Sequence, residues 1–456
     1  MLRELQIKNF KAWTDSGKIR IAPLTIFCGN NSSGKSSISQ FLLMLKQTVE
    51  SYDRQRVLHF GDKDSLLDLG SFEDIVFRGK TETSLQFSII YDTPTIKIVD
   101  AAQASTIGTY SRVEFESSIS YESKSNKTLL NHLAYTLINV EKVQFNLNLE
   151  QWKYKLGASN YTPKRQKGRA WQLPHPEHFY GFPNEATAYY QNTGFLQDLS
   201  LSLNNFFKLI YYLGPLRDYP ERFYQFSGEI PPDVGLKGRT AINAILAASN
   251  RLISRGFKMK KESFKEIIAR WLTQMELIHS FELVEISKGS NLFEVKIKVN
   301  PYSPDVLITD VGFGISQVLP VIVQCFYAPA KSTLLFEQPE IHLHPSVQSH
   351  LGDLFIEAIH SREKGVDRKI QVIVESHSEH LIRRIQRRVA DETIKPEEIA
   401  IYFVHQQHGE AVLEEIRIDL FGNILNWPEH FFGDDLKDLA EMTKAARLRK
   451  QNALND

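Results

Sequence analysis

The sequence predicts an α/β protein built around a largely parallel β-sheet. An apolar segment at 24–28 leads directly into a glycine-rich loop and then into a segment whose apolar residues at 38, 41, 42 and 45 have helical spacing. In the last third of the chain, apolar segments at 333–336, 370–374 and 399–404 alternate with helical segments. Because parallel strands need crossover helices between them, this alternation indicates a parallel sheet with buried strands.

Length and composition are those of an ordinary globular protein with two or three lobes. The chain has 456 residues, and its 54 Lys and Arg residues balance 54 Asp and Glu residues. No overall charge attracts it to nucleic acid or to an anionic membrane, so a polyanionic partner would have to meet a local basic patch. The two cysteines, Cys28 and Cys325, cannot form a disulfide framework or a thiolate metal site.

No segment of the sequence predicts secretion or a membrane span. Residues 1–13 mix charged and apolar side chains, unlike the continuous apolar stretch of a signal peptide. The most apolar window, 318–330, is interrupted by Pro320, Gln324 and Pro329 and is too short to cross a bilayer. We therefore expect a cytoplasmic protein without membrane contact, in which this window is a buried helix.

The middle of the chain has a different pattern from its two ends. Candidate strands cover 85–91, 96–99 and 113–119. Residues 124–205 mix aromatic and polar side chains and include a basic, turn-rich segment at 162–169. A helix is predicted over 257–277, followed by a hairpin whose second strand alternates apolar and charged residues over 293–299. This pattern predicts an α+β insertion between the two parts of the α/β region.

Residues 29–36 match the phosphate-binding pattern Gly-x-x-x-x-Gly-Lys-Ser at every fixed position. In this pattern the glycines let backbone amides wrap around phosphates, Lys35 neutralises the β and γ oxygens, and Ser36 ligates Mg²⁺. The strand before the loop and the helix after it favour nucleotide binding over a glycine-rich turn without a ligand. The predicted ATP-binding residues are Gly29, Asn30, Asn31, Ser32, Ser33, Gly34, Lys35, Ser36 and Ser37.

Three further motifs follow this loop in a fixed order. A glycine-rich turn that opens a helix contains Gly312, Gly314, Ser316 and Gln317. An acid, Glu337, then ends the apolar segment 333–336, where phosphate-loop proteins place a second carboxylate beside the metal. His377 follows the apolar segment 370–374. Glu337 and Ser36 are therefore the predicted Mg²⁺ ligands.

This order of motifs resembles the ATP-binding-cassette (ABC) class of ATPases, specifically the soluble branch that includes RecF, OLD-type and chromosome-maintenance (SMC) proteins. The resemblance covers 1–50 and 305–385 and is poor between them. It implies an ABC-type P-loop ATPase head with a mixed or parallel sheet and an α+β insertion between its two halves. The implied lobes are 1–123 and 301–415, separated by an insertion or lid at 124–300.

The resemblance also implies that two subunits sandwich two ATP molecules, so that the chain forms a homodimer or a higher homo-oligomer. The signature residues Gly312, Gly314, Ser316 and Gln317 would then complete the site of another copy in trans, with the amino terminus of their helix facing the γ-phosphate. His377 would sense the γ-phosphate. The alternative for His377 is a structural imidazole at the end of a strand.

Two positions depart from the pattern of the ABC class. Gly312 replaces the usual serine, so a side-chain contact from the signature to the γ-phosphate would have to come from Ser316. Gln338 replaces the usual glutamate, and a glutamine can orient the attacking water but cannot accept its proton. Slow hydrolysis is therefore expected, with Glu375 and Glu340 as alternative general bases. The predicted catalytic residues are Glu337, Gln338, Glu375 and His377.

Other charged and imidazole side chains leave alternatives open. Glu340, His342 and His344, with His377 and His380, could instead form an imidazole-carboxylate metal site, although imidazoles alternating with apolar residues are usually structural. Arg383, Arg384, Arg387 and Arg388 could contact a nucleic-acid backbone or simply be solvated. Arg217, Lys237 and Arg239 could reach phosphates or be surface and ion-pair residues.

The carboxyl-terminal segment 416–456 resembles a tail module found on a subset of these ATPases and includes Phe432 to Asp434. Residues 386–456 lack the acidic cluster of the Toprim-type nuclease domain that OLD proteins carry. By resemblance, such ATPases act in bacterial anti-phage defence as the sensor and scaffold for a separate nuclease or toxin. The alternatives are a RecF-like or SMC-like ATPase that binds DNA, and an ATP-binding scaffold with little turnover.

Overall fold

The computed structural model describes residues 1–63, 65–100, 105–139, 142–151, 153–168, 171–428, 441–447 and 449. Arg169 of the basic segment and residues Phe432 to Asp434 of the predicted tail module lie outside these residues. The strands are β1 (Leu2–Phe10), β2 (Trp13–Asp15), β3 (Ile19–Arg20), β4 (Leu24–Gly29), β5 (Leu85–Val99), β6 (Thr106–Glu122), β7 (Lys127–Leu137), β8 (Val143–Glu150), β9 (Lys153–Ser159), β10 (Ile210–Leu213), β11 (Tyr224–Gln225), β12 (Leu252–Ser254), β13 (Lys261–Ser263), β14 (Ser280–Glu285), β15 (Leu292–Lys298), β16 (Val306–Leu307), β17 (Thr333–Glu337), β18 (Arg362–Glu363), β19 (Val366–Asp367), β20 (Gln371–Glu375), β21 (Ile399–Gln407) and β22 (Glu410–Ile416).

The α-helices are α1 (Lys35–Val49), α2 (Phe72–Ile75), α3 (Asn184–Tyr189), α4 (Phe195–Lys208), α5 (Ala241–Ala248), α6 (Phe264–Gln274), α7 (Phe313–Tyr327), α8 (Pro345–His360) and α9 (Glu379–Ala390). Short 3-10 turns cover Phe77–Gly79, Ile308–Asp310 and Pro396–Glu398.

The central sheet has the strand order β10-β17-β20-β4-β21-β22. Its first five strands are parallel, and β22 pairs antiparallel with β21. The strands β17 and β20 are almost entirely buried, as expected for a sheet with helices on its faces. The carboxyl ends of β4, β17 and β20 therefore meet at one edge of the sheet. This arrangement confirms the predicted P-loop ATPase fold class.

A second, antiparallel sheet packs against the first helix. Its order is β2-β1-β5-β6-β7-β8-β9, with β3 paired to β1. Phe41 of α1 contacts the rings of Phe10 and Phe87 on this sheet, with centroids 5.2 and 5.1 Å apart. The predicted boundary between residues 123 and 124 falls in the turn between the paired strands β6 and β7. A register shift between Ser118 and Ile119 interrupts the alternation there, which explains why the sequence pattern becomes unclear.

The helix predicted over 257–277 is shorter in the structure, where α6 runs from Phe264 to Gln274. Ser263 caps its amino terminus by accepting from the amide of Glu266, and the Glu266 carboxylate accepts from the amide of Ser263 in return. This capping box fixes the helix start, and the residues just before it form β13 instead. The predicted hairpin is present as β14 and β15.

Helix α7 forms the buried helix that the sequence predicts near residue 318. The guanidinium of Arg368 closes its carboxyl end by donating to the carbonyls of Cys325 (3.2 Å), Phe326 (3.0 Å) and Ala328 (2.5 Å). Arg368 is 1% exposed, so it satisfies buried carbonyls that water does not reach. In the described part of the chain, no helix has the length and apolar character needed to cross a membrane.

Candidate nucleotide-binding site

The glycine-rich loop lies at the carboxyl end of β4, between the neighbouring strands β20 and β21. Gly29 has φ 134°, and a Cβ placed there would lie 2.0 Å from the carbonyl oxygen of Val404. Gly34 has φ 105° and is the residue before α1. Since both backbone conformations disfavour other residues, the loop needs glycine at these two fixed positions of the motif.

Two side chains of the motif converge inside the loop. The Nζ of Lys35 is 4% exposed at the residue level and donates to the carbonyls of Gly29 (3.1 Å) and Asn30 (2.6 Å). Burial lowers the pKa of Lys35. The hydroxyl of Ser36 donates to Oε1 of Glu375 at 2.9 Å. A cation and a hydroxyl-carboxylate pair thus face the space that the loop encloses.

Residues far along the chain hold the outer side of the loop. The indole nitrogen of Trp13 donates to the carbonyl of Gly34 at 3.3 Å, and the side-chain amide of Gln406 donates to the carbonyl of Ser32 at 2.8 Å. Ser33, whose hydroxyl is buried without a partner among the described residues, lies between them in sequence. Sequence analysis missed Trp13 and Gln406 because no local motif marks either of them.

Two carboxylates face each other across the central sheet. Glu337 and Glu375 are opposite in register at the ends of the parallel strands β17 and β20. Burial, followed by the negative charge of Glu375, raises the pKa of Glu337 to about 7. Burial also raises the pKa of Glu375, opposed by the Ser36 hydrogen bond and the charge of Lys35. Glu375 therefore contacts the loop directly, whereas Glu337 lies one strand farther from it. The assignment of Glu337 as a metal ligand stays a prediction.

The residues after Glu337 connect the two strand ends. Gln338 has φ 43°, and its backbone amide donates to the carbonyl of Glu375 at 2.8 Å. Glu340 is 8% exposed; its Oε1 accepts from the backbone amide of His377 at 2.7 Å, and its Oε2 has no partner among the described residues. Burial raises the pKa of Glu340. Partial burial and the charge of Lys35 lower the pKa of His377, which favours a neutral imidazole at this edge.

The structure adds Tyr212 and Arg217 to this group. The hydroxyl of Tyr212 hydrogen-bonds Glu337, and burial together with that carboxylate raises the pKa of Tyr212. Arg217 is 8% exposed, which excludes the surface role that sequence analysis left open. Burial lowers the pKa of Arg217 to about 10, while the charges of Tyr212, Glu340 and Glu337 oppose the shift. The turn at Gly214 and Pro215, after β10, was the only sequence signal.

The signature residues form the start of α7. Gly312 precedes the helix, and a Cβ on Gly314 would lie 3.5 Å from the side chain of Leu277. Ser316 lines a cavity of about 300 Å³, and Gln317 is 6% exposed. The cavity is also lined by Asp218, Arg239 and Pro320. The predicted action of this segment on another copy stays a prediction.

The remaining alternatives fare differently. Asp353 accepts from Arg384 at 2.5 Å and from Arg388 at 2.6 Å, and Arg383 pairs with Glu379, so most of the arginine stripe is already neutralised. In the part of the chain that the structure describes, no three His, Cys, Asp or Glu side chains are grouped to hold a metal ion. The imidazole-carboxylate metal site therefore has no support.

The residues of the loop fit a nucleotide with Mg²⁺. The glycine backbone, Lys35 and the helix amino terminus suit phosphate groups. Ser36 with Glu375 or Glu337 would hold the metal, and Oε2 of Glu375 is buried without a partner among the described residues. Mg²⁺ bound there would offset negative charge on the phosphates.

Comparisons with known proteins agree with this geometry. Residues 1–181 match a family model described as an AAA ATPase domain. Residues 182–383 match a model described as an AAA domain, putative AbiEii toxin, type IV TA system, and residues 394–442 match a protein family of unknown function, DUF3696. No curated protein matches the chain.

The similar solved structures are SMC heads. An SMC head bound to the C-winged helix domain of ScpA is 11% identical, with a TM-score of 0.43 and coverage of 92% of this chain and 98% of that chain. The SMC head domain from Thermotoga maritima is 12% identical, with a TM-score of 0.37 and coverage of 91% and 99%. A Pyrococcus furiosus Smc head with an extended coiled coil, bound to the C-terminal domain of ScpA, is 9% identical, with a TM-score of 0.40 and coverage of 98% and 99%.

The family assignment comes from the sequence models and the loop, and it does not depend on these overlaps. The two AAA models adjoin at residues 181 and 182, and the first contains the complete phosphate-binding motif. Residues 1–383 of this chain are an ATPase domain of the AAA family.

Proposed function

We propose that this protein binds and hydrolyses ATP as an ABC-class ATPase and serves as the nucleotide-gated sensor and scaffold subunit of a bacterial anti-phage defence complex. A separate nuclease or toxin would be its effector. The observation that carries the ATPase proposal is the glycine loop around Lys35, with Ser36 hydrogen-bonded to Glu375 at its base. The defence context is supported by the family model over 182–383, whose description names a putative AbiEii toxin.

The site residues divide the work of phosphoryl transfer between them. Lys35 exchanges the carbonyls of Gly29 and Asn30 for phosphate oxygens, and Ser36 turns its hydroxyl from Glu375 to Mg²⁺. The carboxamide of Gln338 orients the attacking water. Because Gln338 cannot accept a proton, the proton passes to a carboxylate of the same edge, for which Glu375 and Glu340 each offer an unpartnered Oε2.

A second copy of the chain completes the site in this proposal. The amino terminus of α7, with Ser316, faces the γ-phosphate held by the other copy, where the helix dipole favours negative charge. ATP then holds the two copies together, and hydrolysis releases them. The effector protein reads the closed or open state of the dimer.

An ATP-binding scaffold with little turnover is the second candidate, and Gln338 is the observation that favours it. A DNA-binding, RecF-like role has weaker support, because Asp353, Asp391 and Glu379 neutralise the arginines of α9. Stimulation of hydrolysis by DNA, falling steeply with salt, would favour that role instead.

ATP turnover by the purified full chain tests the proposal. Wild-type protein is expected to hydrolyse ATP slowly, and Lys35→Ala should abolish this activity. The matched control is Lys18→Ala, because Lys18 is an exposed lysine paired with Glu4 on the antiparallel sheet. Gln338→Glu, which restores a proton acceptor, should raise the rate. ATP binding without turnover in every variant would replace the enzyme by the scaffold.

The defence role needs its own test. The chain expressed from its native operon is expected to purify together with the product of an adjacent gene. Phage challenge of cells that carry the operon should then show protection, and Lys35→Ala should remove it. Protection that survives Lys35→Ala would separate the defence role from the nucleotide.

A further inference from the structure

Arg217 carries a positive charge inside the candidate site without a partner. The side chain is 8% exposed, and Nε, Nη1 and Nη2 all lack a hydrogen-bond partner among the described residues. An arginine has five N–H donors and stays charged in proteins, so a buried guanidinium normally binds several acceptors. Arg368 shows the usual case in this same chain, because it donates to three backbone carbonyls.

The surroundings of Arg217 do not supply a full counter-charge. Glu337 and Glu340 are its acidic neighbours, and burial favours the neutral form of each carboxyl. Neither carboxylate reaches hydrogen-bonding distance of the guanidinium. A buried charge without a bonded partner is unfavourable, so the site is more stable when an anion is added.

The position of Arg217 indicates which anion that is. Ser36 binds Glu375, Glu375 faces Glu337 in register, and Glu337 lies beside Arg217. The guanidinium is therefore on the far side of the acidic pair from the phosphate loop, separated from it by about two strand spacings, roughly 10 Å. A phosphate enclosed by the loop would be the β-phosphate, whereas a group reached from the other side would be the terminal one.

We propose that Arg217 binds the terminal phosphate of ATP and thereby lets the site distinguish ATP from ADP. This inference rests on the proposed nucleotide binding and deepens it. Guanidinium groups bind phosphate oxygens through two parallel N–H bonds, which gives both affinity and orientation. ADP lacks the oxygens that Arg217 would bind, so the residue would contribute to the affinity of ATP alone.

Calorimetric titration of the full chain with a non-hydrolysable ATP analogue (AMP-PNP) and with ADP, both with Mg²⁺, tests the proposal. Arg217→Met should weaken AMP-PNP binding by about 10- to 100-fold, the usual effect of losing a hydrogen bond to a charged group, and should change ADP binding by less than about twofold. Arg217→Lys should lose only part of the AMP-PNP affinity. The control is Arg222→Met, because Arg222 is 67% exposed and pairs with Asp310 at 3.4 Å.

Thermal unfolding of the nucleotide-free protein separates this role from a structural one. Removing an unpaired buried charge should leave the melting temperature of Arg217→Met unchanged or higher. A lower melting temperature with an equal loss of both nucleotides would show that Arg217 is a structural residue and overturn the proposal. The proposal also fails if the variant binds both nucleotides as the wild type does while Lys35→Ala loses both. If wild-type protein binds neither nucleotide, the proposed function fails as well.

Discussion

The carboxyl of Glu337 makes the stability of the nucleotide-free protein depend on pH. Its pKa in the folded protein is raised from 4.5 to about 7 by burial and by Glu375. Between these values the folded chain keeps a proton that the unfolded chain has lost. The stability that the neutral carboxyl provides is therefore fully present below about pH 4.5 and is lost as the pH rises through about 7.

The size of this effect follows from the pKa difference. Each unit of pKa is worth about 1.4 kcal/mol, so ionising Glu337 in the folded protein costs on the order of 3 kcal/mol. Unfolding entropy of about 2 cal/mol/K per residue converts this cost into a change in melting temperature of about 3 °C for a chain of this length. Glu337→Gln keeps the shape of the side chain and removes the proton equilibrium. The variant should match the wild type near pH 5 and be more stable by about 3 kcal/mol near pH 8.

Thermal and urea unfolding of wild type and Glu337→Gln between pH 5 and 8.5, without nucleotide, measures this difference. Glu397→Gln is the control, because it removes an exposed carboxylate beside β21. A gap between wild type and Glu337→Gln that stays constant over this pH range would show that Glu337 is not a buried, proton-holding carboxyl. The reasoning about the acidic pair would then be wrong.

Three further predictions follow from single contacts. Gly29→Ala places a methyl group 2.0 Å from the carbonyl oxygen of Val404, so it should destabilise the protein by about 3 kcal/mol or more in thermal unfolding and abolish ATP binding; normal binding would contradict the loop geometry. Arg368→Met leaves three buried carbonyls at the end of α7 without a donor and should cost about 3 to 5 kcal/mol, and a loss below 1 kcal/mol would refute its capping role. Asp353→Asn frees Arg384 and Arg388, and fluorescence anisotropy with labelled DNA at low salt should show tighter binding than for the wild type, with equal affinities contradicting the neutralised stripe.

The parallel sheet and the phosphate loop could be predicted because their signals are local. The segment 24–28 is apolar throughout, the glycines have fixed spacing, and the helix after Lys35 has clear periodicity. The strand ends at Glu337 and Glu375 were found for the same reason. Each of these features depends on neighbours within a few residues in the chain.

Features that depend on distant pairing could not be predicted. The strands β7 to β9 were missed as strands because their partners and a register shift decide which side chains are buried. The start of α6 depends on the capping box at Ser263, which overrides the longer helical pattern. Arg217 follows an ordinary Gly-Pro turn, and only the fold shows that its side chain is buried beside Glu337 and Glu340.

Direct measurement of MgATP binding to the full chain tests the central claim most directly. Calorimetric titration is expected to show one ATP bound per chain, and Lys35→Ala should weaken this binding by at least about 100-fold, because Lys35 donates to the phosphates through charge-assisted bonds. An equal affinity in wild type and Lys35→Ala, or no binding by the wild type, would contradict a nucleotide site at this loop.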